Sequence, residues 1–126
     1  MRIIETTMAR VLVVEDEPNI GAIIVFKLER EGHTVTWVTE ATRVAAAAVS
    51  FRPDLVLLDS TLPDGDAFLL LQRLVPSNLV VMLTEFRDAA APERARRAGT
   101  AATVEKPFKP AQLAQLVAQL APVAST

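Results

Sequence analysis

The stretch LVLLDSTLPDGD, residues 55–66, decides the fold. Four aliphatic residues run directly into Asp59, and turn-forming residues with two further carboxylates follow. A short continuous apolar run of this kind is typical of a strand that is buried on both faces of a parallel sheet. Asp59 would then lie at the carboxyl end of the strand, which is where open α/β sheets place their chemistry.

Four similar runs lie along the rest of the chain, and each is followed by a helical pattern. The predicted strands are residues 10–14, 33–38, 54–59, 78–84 and 102–105. The predicted helices are residues 18–31, 40–51, 66–75, 89–99 and 109–121. The fivefold alternation predicts an α/β fold, a five-stranded parallel sheet doubly wound in (βα)5 order.

The bulk composition restricts the class of protein. The 126 residues predict one domain, and 51% hydrophobic residues suffice for a core at this length. We expect an N-terminal extension at residues 1–8, frayed at residues 1–7, the folded domain at 9–121 and a C-terminal tail at 122–126. The net charge of −2 argues against direct nucleic-acid binding. Without cysteine or a long apolar segment, we expect no disulfide, no zinc–thiolate site, no membrane association and a cytoplasmic location.

Polar side chains follow four of the five predicted strands. Glu15 and Asp16 follow the first, Asp59 ends the third, Thr84 ends the fourth, and Lys106 follows the fifth. Three carboxylates facing one lysine leave a formal charge near −2, which a divalent cation would balance. An all-oxygen ligand set favours Mg²⁺ or Mn²⁺. A carboxylate beside such a cation, with a lysine and a hydroxyl opposite, is arranged to accept a phosphoryl group.

The motifs point to one family. They are VLVVEDEP, PDLVLLDSTLPDGDAF, VVMLT and RRAGTAATVEKPF, at residues 11–18, 53–68, 80–84 and 96–108. With them, the sequence resembles the receiver domain of bacterial response regulators over residues 9–121. The resemblance implies the flavodoxin-like receiver fold. It also implies phosphorylation by a sensor histidine kinase with Mg²⁺ as cofactor, Mn²⁺ being possible.

The resemblance also implies a role for each site residue. Asp59 would be the phosphoacceptor. Asp16 would bind the metal directly and Glu15 through water, and the backbone carbonyl of Thr61 would complete the protein ligands together with Asp59.

Further roles follow from the same resemblance. Thr84 would be the switch hydroxyl and Lys106 the phosphoryl-binding lysine, and Pro107 would follow a cis peptide bond. At Thr103 the family usually has an aromatic ring that turns inward, so we expect that coupling to be absent.

The implied function is a phosphorylation-dependent signalling switch that changes the surface of helix four, strand five and helix five. This surface would control a downstream effector or a DNA-binding domain that is not present in this chain. The protein would catalyse only its own metal-assisted phosphorylation and dephosphorylation, so we do not expect a conventional enzyme. A homodimer through the same surface is possible, although Gln112 and Gln115 stand where relatives carry charged residues.

Three single residues carry further expectations. Glu85 follows the switch threonine where the family has a small residue, and it either faces solvent or slows small phosphodonors. His33, the only histidine, is expected at the surface, and Trp37 is expected to serve in packing.

Other classes fit less well. A haloacid-dehalogenase-type phosphatase requires a second aspartate where Thr61 stands, as does a topoisomerase-primase-like metal domain. A nucleotide-binding module would have a glycine-rich loop after the first strand instead of the acidic EDEP. Two alternatives keep the fold: a receiver fragment of a DNA-binding transcription regulator, and a receiver that signals without phosphate.

Overall fold

The computed structural model describes the backbone of residues 5–121 and 123–125 and the side chains of residues 8–121. Five strands form the central sheet: β1 (Arg10–Val14), β2 (Thr34–Val38), β3 (Leu55–Asp59), β4 (Leu79–Thr84) and β5 (Ala102–Glu105). All neighbours run parallel, in the order β2-β1-β3-β4-β5. The predicted doubly wound receiver fold is confirmed.

Five helices cover the sheet: α1 (Pro18–Arg30), α2 (Val44–Phe51), α3 (Ala67–Leu74), α4 (Ala91–Arg97) and α5 (Pro110–Leu120). The predicted bounds agree to within two residues except at the start of α2, where Ala41–Arg43 form a 3₁₀ turn. The Asp64 carboxylate accepts hydrogen bonds from the backbone N–H groups of Ala41 and Thr42, which holds this tighter turn in place. None of the described helices combines the length and hydrophobicity that crossing a membrane requires.

The core consists of two layers, one on each face of the sheet. Alternate residues of the central strands point to opposite faces. Leu12, Val56 and Met82 pack against α2, α3 and α4, whereas Val13, Leu57 and Val81 pack against α1 and α5. Because helices cover both faces, β1, β3 and β4 are apolar at almost every position, which is the pattern that the sequence displays.

The apolar residues of α1 do not all face the core. Ile20, Ile23, Ile24, Phe26 and Leu28 recur at short intervals along the helix. In the structure Ile24 and Leu28 are buried, but Ile23 and Phe26 are 51% and 63% exposed. At about 100° per residue, Ile24 and Leu28 share the inner face of the helix with Gly21, which is also buried, and the other two point outward.

The two ends of the described chain lie beside each other. Glu5–Thr7 pairs antiparallel with Val123–Ser125 in a separate two-stranded sheet. These residues belong to the predicted extension and tail, and Glu5–Thr7 forms a strand in the segment that was expected to be frayed. A three-residue strand is too short to show an alternation of apolar and polar side chains. Its pairing depends on backbone hydrogen bonds, which the sequence does not reveal. Residues 1–4, 122 and 126 lie outside the described residues.

Candidate functional site

Three carboxylates meet where β1 and β3 end. The two strands are neighbours, with Val14 opposite Leu58, so the residues that follow them reach the same edge of the sheet. Glu15, Asp16 and Asp59 each bring a carboxylate oxygen within 4.8 Å of the other two. Glu15 and Asp59 are 0% and 1% exposed, whereas Asp16 is partly exposed. The predicted acidic cluster is therefore a buried hollow with one more open side.

Lys106 supplies the cation of this hollow. Its ammonium Nζ lies 2.7 Å from Glu15 Oε1 and 3.1 Å from Asp59 Oδ1. The side chain is 9% exposed, so both ion pairs are shielded from solvent. The peptide bond between Lys106 and Pro107 is cis, as the resemblance implied.

Thr84 lies at the same edge of the sheet. The register places Asp59 opposite Leu83, and Ser60 N–H donates to the Leu83 carbonyl at 2.9 Å. Thr84 is the next residue and is 1% exposed. Its carbonyl accepts a hydrogen bond from Lys106 N–H at 2.8 Å, which joins the ends of β4 and β5.

Thr61 and Glu85 border the hollow. The Thr61 backbone N–H donates to Asp59 Oδ1 at 3.1 Å, and the Thr61 hydroxyl lies 3.3 Å from the same oxygen. The same hydroxyl lies 3.1 Å from Glu85 Oε1, which is also 3.6 Å from Lys106 Nζ. Of the two expectations for Glu85, exposure to solvent holds only in part, because its carboxylate turns back toward the site.

The hollow holds more negative charge than Lys106 balances. Burial, followed by the adjacent Glu15, raises the pKa of Asp59 above its ordinary value. Burial and the neighbouring Asp59 likewise raise the pKa of Asp16. Burial lowers the pKa of Lys106, but the contacts with Glu15 and Asp59 outweigh it, so that the pKa is raised overall. The carboxylates are thus held in an unfavourable environment that a further cation would relieve.

The donor set fits a hard divalent cation. Every side-chain ligand in the cluster is a carboxylate oxygen. Three carboxylates and one ammonium leave a formal charge of −2, the charge that one divalent ion would neutralise. The residues of the chain that would hold such an ion are therefore Glu15, Asp16 and Asp59.

A family model described as the response regulator receiver domain matches residues 11–118. The chain belongs to this family. This receiver domain is also similar to longer proteins: it is 32% identical over 111 residues to the DNA-binding response regulator MtrA of Mycolicibacterium smegmatis, covering 86% of this chain and 49% of MtrA. It is 38% identical over 101 residues to the probable transcriptional regulatory protein TcrX of Mycobacterium tuberculosis, covering 78% and 43%. The chain thus spans about half the length of these curated relatives.

Solved structures agree with the family assignment. NtrX from Brucella abortus is 34% identical, with a TM-score of 0.82 over 90% of this chain and 26% of that one. The BeF3-activated N-terminal receiver domain of Klebsiella pneumoniae RstA is 28% identical, with a TM-score of 0.80 over 88% of this receiver domain and 97% of that chain.

The structure also places the residues outside the hollow. Thr103 is partly buried on β5 and lines a surface cavity with Pro92 and Arg96 of α4, so no aromatic ring fills this position. Trp37 packs against α1 as expected, and its indole N–H also donates to the Glu15 carbonyl at 2.9 Å. The latter contact was not predicted, since a main-chain acceptor leaves no mark in a sequence.

The prediction for His33 is wrong. The side chain is 6% exposed, and its Nδ1 accepts a hydrogen bond from Ala9 N–H at 2.9 Å. Its position after Gly32 and away from the site suggested a surface residue. Instead, the imidazole satisfies a backbone donor next to the first strand.

Proposed function

We propose that this receiver domain is a phosphorylation-dependent signalling switch of a two-component system, and that Asp59 accepts a phosphoryl group from a sensor histidine kinase in the cytoplasm. One observation carries the proposal: the buried Asp59 carboxylate lies within 4.8 Å of two other carboxylates and 3.1 Å from the Lys106 ammonium. A nucleophile, the ligands for a cation and a group that can bind phosphoryl oxygens are therefore together in one hollow.

Glu15, Asp16 and Asp59 would hold Mg²⁺, or Mn²⁺, together with the backbone carbonyl of Thr61. When bound, the ion would neutralise negative charge on the phosphoryl oxygens. The excess of carboxylates over Lys106 supports this assignment, because it leaves the hollow short of positive charge.

The residues of the chain would carry out a substitution at phosphorus. An Asp59 carboxylate oxygen attacks the phosphorus of a phosphohistidine. The P–N bond breaks and leaves its electron pair on the imidazole, and a mixed anhydride forms on Asp59. Lys106 would pair with one phosphoryl oxygen and the Thr84 hydroxyl would donate to another, so the chain supplies positioning and charge stabilisation. Attack by water on the same phosphorus would later break its bond to the Asp59 oxygen, which releases inorganic phosphate and restores the carboxylate.

The signal would leave through the surface formed by α4, β5 and α5. The phosphoryl group adds nearly two negative charges beside Thr84 and Lys106, which are joined to this surface through the ends of β4 and β5. Because Thr103 has no ring to turn inward, we expect the output to depend on the connection from β4 to α4.

The downstream partner is part of the proposal. MtrA is named a DNA-binding response regulator, and this receiver domain matches about half of its length. We therefore propose that the domain controls a DNA-binding effector, with the α4, β5 and α5 surface as the contact or as a homodimer interface. The domain itself would not contact nucleic acid.

Mass spectrometry with acetyl phosphate or beryllofluoride tests the proposal. Wild type and Asp59→Asn should be compared with and without Mg²⁺. We expect an adduct on wild type that requires the metal and is lost in Asp59→Asn. A wild type that stays unmodified with saturating Mg²⁺ would favour a receiver that signals without phosphate.

A further inference from the structure

Glu85 shares its hydrogen-bond donors with Asp59. The Thr61 hydroxyl lies 3.3 Å from Asp59 Oδ1 and 3.1 Å from Glu85 Oε1. The Lys106 ammonium lies 3.1 Å from the first oxygen and 3.6 Å from the second. One ammonium thus contacts both carboxylates, and one hydroxyl, which has a single proton to donate, lies within hydrogen-bond distance of both.

The two carboxylates lie at different depths, Asp59 in the core and Glu85 nearer to the solvent. Asp59 is 1% exposed, whereas the Glu85 side chain is 43% exposed. Glu85 begins the connection between β4 and α4, directly after the buried Thr84. The Glu85 carboxylate therefore lies next to Thr61 and Lys106, on the same side of Asp59 as these residues and closer to the solvent.

We propose that the Glu85 carboxylate takes the place of an incoming phosphoryl group, and that Glu85 must move away before Asp59 can be modified. We call Glu85 in this role an anionic plug. This inference rests on the proposed function. A phosphoryl group on Asp59 would need the Lys106 ammonium and the space beside Asp59 Oδ1. Glu85 Oε1 lies 3.6 Å from this ammonium and 3.1 Å from the Thr61 hydroxyl beside Asp59 Oδ1, so an incoming anion competes with the Glu85 carboxylate.

The plug would act most strongly against small donors. Acetyl phosphate or beryllofluoride makes no contact outside the hollow that could help to displace Glu85. A protein donor that touches the connection between β4 and α4 can move Glu85 through its own binding energy. Glu85 would therefore favour phosphorylation by a docked kinase over phosphorylation by free metabolites.

A simpler explanation of slow modification is that the negative charge of Glu85 repels the anionic donor. The variant Thr61→Val distinguishes this repulsion from the plug. This variant removes the hydroxyl that lies between Glu85 and Asp59 but keeps every charge and the backbone N–H of residue 61. A plug predicts faster labelling in Thr61→Val as well as in Glu85→Ala and Glu85→Gln. Asp88→Asn is the matched control, because it removes an exposed charge three residues away from Glu85.

The experiment measures the rate of Asp59 modification by acetyl phosphate, and the association rate of beryllofluoride, at saturating Mg²⁺. Binding of Mg²⁺ is titrated for each variant through the fluorescence of Trp37, whose indole donates to the Glu15 carbonyl, so that all variants are compared with metal bound. Losing a charge-assisted contact of about 1.4 kcal/mol corresponds to a tenfold change. We expect about tenfold faster modification in Glu85→Ala, a several-fold gain in Thr61→Val and less than twofold in Asp88→Asn.

Three results would overturn the plug. Modification of Glu85→Ala at the wild-type rate would do so while leaving the proposed function intact. Equal acceleration in Asp88→Asn and Glu85→Ala, with none in Thr61→Val, would assign the effect to charge alone. Failure of Asp59 to react in any variant would overturn both the plug and the proposed function.

Discussion

At the site, Lys106 compensates only part of the repulsion among the carboxylates. Asp59 is buried beside Glu15 and Asp16, and Lys106 is the one cation that the described structure places among them. Two unit charges about 4 Å apart repel by roughly 4 kcal/mol at an effective dielectric near 20. The raised pKa of Asp59, caused first by burial, means that ionisation of this group opposes folding at neutral pH.

Replacing Asp59 should therefore stabilise the protein. We expect Asp59→Asn to raise the free energy of unfolding by about 1–2 kcal/mol without divalent cations, a fraction of the pairwise repulsion. Urea unfolding in EDTA measures this difference. Mg²⁺ should narrow it, because wild type would bind the ion better than the variant does. A less stable Asp59→Asn in EDTA would contradict this account of the hollow.

His33 should make stability depend on pH. Burial lowers its pKa, against the opposing influence of Glu31. Above the ordinary value near 6.5 the imidazole is neutral in both states. As the pH falls through 6.5 the unfolded chain gains the proton first, so stability falls until the lower folded-state pKa is passed.

The variant His33→Asn isolates this contribution. Its side-chain oxygen can take the place of Nδ1 as acceptor for Ala9 N–H but does not titrate. We expect the free energy of unfolding, measured by urea from pH 7.5 to 5, to decline less steeply in the variant. Parallel curves for the two proteins would show that His33 does not contribute.

At the scale of elements, the packing of β2 against α1 depends on a close approach. A methyl group on Gly21 would lie 2.0 Å from the Trp37 ring. Because residue 21 has no side chain, the Trp37 ring packs directly on the backbone of α1. In this position its indole N–H donates a hydrogen bond to the Glu15 carbonyl. The start of α1 is fixed separately, by the Glu17 carboxylate, which accepts a hydrogen bond from Ile20 N–H at 2.6 Å.

Gly21→Ala should destabilise the protein although alanine favours helices. Displacing the Trp37 ring should cost about 1–3 kcal/mol, more than the roughly 1 kcal/mol gained in helix propensity. Chemical unfolding followed by Trp37 fluorescence measures the net effect. Ala22→Gly, at the adjacent exposed position, reports the propensity term alone. A more stable Gly21→Ala would mean that the ring moves aside freely.

At the scale of the whole molecule, stability is concentrated in the middle of the sheet. Residues of β1, β3 and β4 are almost completely buried between the two helical layers, whereas the edge strands β2 and β5 are only partly buried. The strand order also brings the ends of β1, β3, β4 and β5 to one edge, which assembles the site.

Amide hydrogen exchange should reveal this gradient. We expect amides of β1, β3 and β4, such as those of Leu12, Leu57 and Met82, to exchange only through global unfolding. Amides of β2 and β5 should exchange faster, through local opening at the edges. The measurement is a denaturant series of exchange free energies, and uniform protection across all five strands would contradict the expectation.

Much of this molecule could be predicted from local sequence pattern. Continuous aliphatic runs indicate strands buried on both faces, and their polar ends identify Glu15, Asp16, Asp59, Thr84 and Lys106 as neighbours. The sequence pattern was misleading where the burial of a residue depends on a contact with a residue distant in the sequence. His33 is buried because its Nδ1 accepts a hydrogen bond from the Ala9 backbone N–H.

The sequence by itself determined the strand and helix order, the sheet edge on which charge collects and the family. Only the tertiary structure decided that Glu85 turns back toward Thr61 and Lys106, that Trp37 reaches Glu15, and that residues 5–7 pair with residues 123–125. Periodicity encodes which face of an element is buried, because burial repeats along the chain. Contacts between residues distant in sequence, such as Thr61 and Glu85, follow no period and are fixed only when the elements pack.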